Sequence, residues 1–126
     1  MKIVSTVARY LLGIIFTVFG LNGFLHFIPS GPVPALAAQF VGALVQSHYM
    51  TVVFVIQLVG GVMLLANRYV ALALTILGPV IVNIVLVHIL MAPAGLPLAL
   101  FVTLLWILLA YRVRFAFEGI FRAAAL

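Results

Sequence analysis

Four stretches of this sequence are each long and apolar enough to cross a bilayer as a helix, and they leave little chain for anything else. They run over about 3–28, 49–66, 69–91 and 98–111. Strong punctuation separates them. "IPSGPVP" (28–34) and "APAGLP" (92–97) carry the prolines and glycines that stop helices, Asn67-Arg68 divides the second from the third, and Arg112 and Arg114 mark the exit of the fourth. The second stretch is short, so its ends sit within protein or in thinned bilayer.

The residues between spans one and two, 35–48, read "ALAAQFVGALVQSH". This segment is too short to cross and too apolar for a plain loop. The expectation is a helix lying at the interface or re-entering over the bundle, with Pro34 near its first turn. After the fourth span, 113–125 is expected as an amphipathic helix. There the single acid, Glu118, stands four residues from both Arg114 and Arg122, and phenylalanines dip into the headgroups.

Composition agrees with this layout. Hydrophobic residues make up 68% and charged residues 6%, where soluble domains average about half and a quarter. The expected fold is all-α: a four-helix transmembrane bundle occupying 1–126 as one integral membrane domain. The net charge of +5 comes from six basic residues scattered among apolar runs, which gives no face for nucleic acid. No cysteine is present, so disulfide exchange, thiolate ligation and cysteine-held iron–sulfur clusters are excluded. One acid cannot form a catalytic carboxylate pair. A structural metal needs more ligands than three histidines without carboxylate or thiolate, so it ranks below the other readings.

The basic residues sort by side. Lys2, Arg9, Arg68, Arg112, Arg114 and Arg122 all fall on one face of a four-crossing chain, while 28–48 and 92–97 carry no charge. The positive-inside rule then places both termini of a multi-pass protein in the cytoplasm. A signal peptide is the competing reading of "MKIVSTVARYLLGIIF", but its apolar run is too long and Arg9 interrupts it.

The buried polar groups are placed unevenly in depth. At 1.5 Å per residue from the outer ends, Asn22 lies about 9 Å deep, His26 about 3 Å, Gln57 and Asn83 about 12 Å, and His88 about 5 Å. The inner half, apart from Arg9 and small hydroxyls, is hydrocarbon. Any one of these groups alone reads as an interhelical hydrogen bond worth about 1 kcal/mol. As a set from three spans, Asn22, His26, Gln57, Asn83 and His88 point to a ligand-binding pocket open to the outside. Gly13, Thr17 and Gly20 on span one, and Gln57, Gly60 and Gly61 on span two, read as close-packing seams. Gly78-Pro79 should kink span three just inward of Asn83.

Taken in order, "ARYLLGIIFTVFGLNGFLHFIP" and "IQLVGGVMLLANRYVALALTILGPVIVNIVLVHILM" resemble the DoxX family of small four-helix bacterial membrane proteins, in its DoxX-like branch. Arg9 and Gly13, Asn22-Gly23-Phe24, Gln57 through Gly61, Arg68, and Pro79, Asn83 and His88 carry the likeness. The resemblance implies an inner-membrane four-helix bundle. It also implies association with redox complexes, the family's namesake being a subunit associated with a thiosulfate:quinone oxidoreductase.

The leading expectation is a non-catalytic accessory protein whose outer pocket holds a lipophilic, quinone-like molecule, alone, as a homo-oligomer or beside an oxidoreductase subunit. Amide and imidazole donors in an apolar surround suit carbonyl oxygens. Two alternatives stand beside it: a haem-binding electron carrier with His26 and His88 as axial ligands, and a small transporter or exporter working as an oligomer.

Overall fold

The computed structural model describes every residue except Ala125. The chain is all-helical, with no strand among the described residues. Helix α1 (Lys2–Leu25) ends where His26 turns left-handed, at φ 53° and ψ 45°, its N–H on the Asn22 carbonyl. The apolar run continues to residue 28, yet the helix stops here. The Asn22 side-chain oxygen accepts the Ile28 N–H at 2.7 Å and holds the exit closed.

Helix α2 (Ala35–Gln46) follows Pro34, and α3 (Tyr49–Leu65) leaves it at an angle of 86°. His48, at φ 63°, forms that corner. Histidine and asparagine are among the few non-glycine residues that enter the left-handed region readily. Helix α3 has 17 residues and is therefore about 26 Å long, short of a bilayer core of about 30 Å.

The α3–α4 connection is a Schellman turn. Asn67 is left-handed, its N–H reaches Leu64 O at 3.2 Å, and the Arg68 N–H reaches Met63 O at 3.0 Å. Arg9 of α1 supplies the rest of the cap. Its Nη1 donates to the carbonyls of Leu64 and Leu65, the latter at 3.2 Å. Orphan carbonyls at a helix C-terminus are thus met by a cation from another helix, the charge that terminus favours.

Helices α4 (Val70–Leu90) and α5 (Leu96–Arg112) are joined by the 3-10 turn Pro93–Gly95. Pro79 sits inside α4 and has no N–H for the Thr75 carbonyl. One residue earlier, Leu74 O receives the Trp106 indole N–H from α5 at 2.9 Å, a polar tie beside the proline.

Helix α1 packs on α3 and α5, and α4 packs on α3 and α5. The α1–α3 seam is built on glycine. A Cβ at Gly61 would lie 2.6 Å from the Thr17 nitrogen, and one at Gly20 would lie 2.9 Å from the Leu58 nitrogen. Gly60 instead makes room for the Leu77 side chain of α4, whose Cγ would lie 2.7 Å from a Cβ there. Inside a bilayer, helices gain little by leaving lipid, so such close backbone approach is what holds them together. The core is dense from mid-height towards the end that carries Lys2 and Arg112, where Leu12, Leu64, Leu74 and Leu77 are each fully buried.

Three helical segments, Lys2–Leu25, Val70–Leu90 and Pro93–Arg112, are long and apolar enough to cross a membrane; counting the bent pair Ala35–Gln46 and Tyr49–Leu65 as one span makes four. This is a membrane protein. Beyond α5, where an amphipathic helix over 113–125 is expected, Arg114–Phe121 is instead a 3-10 helix and Arg122 is extended; Ala125 lies outside the described residues. At three residues per turn, positions four apart sit about 120° from each other. The expected Arg114–Glu118–Arg122 ladder therefore loses its common face. Arg114 donates to Tyr111 O at 2.9 Å and stacks on Tyr111 and Phe115 at 4.3 and 4.7 Å.

Candidate functional site

At the end of the helices remote from Lys2 and Arg112, the dense core gives way to a cavity of about 320 Å³. That is the lower end of the range for small-molecule sites, about 300–1,000 Å³. Helices α1, α3, α4 and α5 all contribute to its wall. Most of the wall is apolar, with Phe16, Ala99 and Val102 its best-buried members. Three polar side chains interrupt it: Asn22, Gln57 and His88.

Each of the three arrives with a defined hydrogen-bonding capacity left over. The Asn22 oxygen is occupied by the Ile28 N–H, which fixes the amide orientation and leaves its NH2 free to donate. The His88 Nδ1 lies 2.7 Å from the Ile84 carbonyl. A carbonyl only accepts, so Nδ1 carries the proton, and Nε2 of the neutral ring is an acceptor. His88 is packed edge-on against Gly95, where any Cβ would overlap the ring.

Gln57 is the most telling. It is only 7% exposed, yet its amide has no partner among the described residues. Its polar atoms are not sealed off in the way that the Thr17 hydroxyl is, buried without a partner between α1 and α3. Gln57 lines the cavity. Together the three groups offer two donors and two acceptors in an apolar enclosure. A small ring bearing carbonyl or hydroxyl oxygens is what such a set can hold.

His26 and Asn83 are placed elsewhere. His26 is exposed and spends its backbone closing α1. Asn83 is exposed, and its Nδ2 donates to Pro79 O at 2.8 Å on its own helix. Neither lines the cavity. Axial ligation of one iron by His26 and His88 has no support in this arrangement. No group of three or more metal-ligating side chains occurs among the described residues.

Sequence reasoning did not single out Ala99, Val102 or Gly95. The spacing of Ala99 and Val102 on α5 puts them on one helical face, a signal that could have flagged the first two. Nothing local marks Gly95 as the bed of an imidazole. Comparison with family models, curated proteins and solved structures returns no match for the chain.

Proposed function

We propose that the protein is a four-helix inner-membrane bundle whose outer cavity holds a lipophilic, quinone-like molecule. In this reading α1, α3, α4 and α5 each cross the membrane, both termini lie in the cytoplasm, and α2 folds back at the outer surface after its 86° corner. Four crossings put every lysine and arginine on one side, as the positive-inside rule requires. The likeness of 8–29 and 56–91 to DoxX-like proteins points the same way and suggests an accessory role beside a redox enzyme.

The observation that carries the reading is Gln57, a buried residue that lines the cavity and whose amide has no partner among the described residues. A polar group kept in hydrocarbon at a cost of about 1–3 kcal/mol calls for a compensating partner. A quinone carbonyl would accept from Gln57 and Asn22, and in the reduced form its hydroxyl would donate to His88 Nε2. The apolar walls would take the ring and the start of a tail.

Trp106, the chain's single tryptophan, gives a direct test, because it lies one helical turn from Val102. A short-tailed benzoquinone added to the protein in nanodiscs should quench Trp106 with saturation. Ala99→Phe, which fills the cavity, should abolish the saturable component. Quenching that rises linearly, and equally in the filled variant, reports partition into lipid and refutes the proposal.

A further inference from the structure

A second cavity, of about 300 Å³, lies at the opposite end of the molecule. Lys2 and Arg9 reach it from α1, Arg112 from the last turn of α5, and Asn67 from the Schellman turn. Lys2, Ser5 or Thr6, and Arg9 recur at three- and four-residue steps, which sets both α1 cations on one face. Three cations share the space with no acid. The chain's single carboxylate side chain, Glu118, is not among the lining residues.

The donors are only partly used. Arg9 spends Nη1 on the α3 carbonyls, leaving Nε and Nη2 uncommitted. Lys2 and Arg112 make no side-chain hydrogen bond among the described residues and are exposed, so their stems can swing to an occupant. The Ser5 and Thr6 hydroxyls already donate to Lys2 O at 3.0 and 2.8 Å, so cationic groups supply the recognition. Apolar residues, Val70, Leu109 and Val113, line the rest.

We propose that this cavity binds a phosphate anion carried on an apolar body, namely the headgroup phosphate of an anionic lipid. Three converging cations without a counter-charge select an anion, and guanidinium groups match phosphate geometry. The aliphatic wall accommodates glycerol and the first acyl carbons. Position agrees as well, since the cavity lies at the basic ends of helices that cross the membrane, where basic pockets between helices take lipid headgroups. The proposal does not depend on what fills the other cavity.

Native mass spectrometry of protein released from mixed micelles of phosphatidylglycerol and phosphatidylcholine tests it. Phosphatidylglycerol should be retained preferentially. Lys2→Gln and Arg112→Gln should each weaken that retention about fivefold, and the double variant carrying both should weaken it further. Arg114→Gln with Arg122→Gln removes the same charge outside the cavity and should leave retention unchanged. Arg9→Gln also strips the α3 cap, so it is read only alongside the other two.

Inorganic phosphate added in competition separates the sources. Failure to displace the lipid supports the lipid as occupant, and displacement at millimolar phosphate supports the same site with a soluble phosphate as its ligand. Equal retention of both lipids by the wild type, or equal losses in the cavity and control double variants, overturns the proposal.

Discussion

Replacing Gln57 by leucine separates a ligand group from a structural one, because the two roles predict opposite signs. Gln57 is 7% exposed and its amide has no partner among the described residues, while Phe16, Phe54, Ala99 and Val102 make its surroundings apolar. A buried polar group without a partner costs about 1–3 kcal/mol, and an apolar side chain of similar shape removes that cost. Gln57→Leu should therefore leave the empty protein as stable as the wild type or stabilise it by up to about 2 kcal/mol. The lower limit applies if a water entering from the outer surface satisfies the amide.

The same change should weaken quinone binding. It deletes one hydrogen bond worth about 0.5–1.5 kcal/mol, a loss of roughly 2- to 10-fold in affinity. Reversible unfolding in mixed micelles, followed by helical circular dichroism, gives the first quantity. Trp106 quenching gives the second. If Gln57→Leu destabilises the empty protein by about 1 kcal/mol or more, the amide is tying helices together. The cavity then loses its strongest argument.

Other predictions follow from the same geometry. Gly61→Ala must push α1 and α3 apart, since its Cβ would meet the Thr17 backbone nitrogen at 2.6 Å, and should cost about 1–3 kcal/mol in the unfolding assay. Gly78→Ala is the control: its Cβ finds Trp106 at an ordinary 3.6 Å, so higher helix propensity should make it neutral or stabilising by up to about 1 kcal/mol. Arg9→Met should destabilise by about 1.5–3 kcal/mol through loss of its charged hydrogen bonds to the α3 terminus, seen as earlier unfolding and faster amide exchange in 62–66. Gly95→Ala should displace the His88 ring and weaken quinone quenching with every polar group retained, whereas Asn83→Leu should leave quenching unchanged.

The helical class and several of the helix ends were legible in the sequence, because apolar runs and their punctuation mark them directly. Asn67-Arg68 and Pro93 stand at observed helix ends. Rise per residue gives each position a height along its own helix. It does not give azimuth. On an α-helix, Asn83 and His88 are five residues apart and so about 140° apart around the axis; only one can face the cavity.

His26 shows a different limit. Four residues from Asn22, it would share its face on a continuing helix, but the left-handed turn at His26 itself ends that continuation. The C-terminal segment has the same lesson, because an i, i+4 pattern of charges means little once the backbone is 3-10. Arg9 looked like a topology marker and proves to be the cap of a neighbouring helix as well, a contact across 55 residues that no local pattern records.

The central claim is that side chains from three helices converge on one occupant. Solid-state NMR on protein with 15N-labelled glutamine, asparagine and histidine side chains, in lipid with a 13C-carbonyl benzoquinone, measures this convergence. Dipolar dephasing should appear at Gln57, Asn22 and His88, and be absent at Asn83 and His26. Dephasing at none of the five, or equally at the exposed Asn83, would contradict the account.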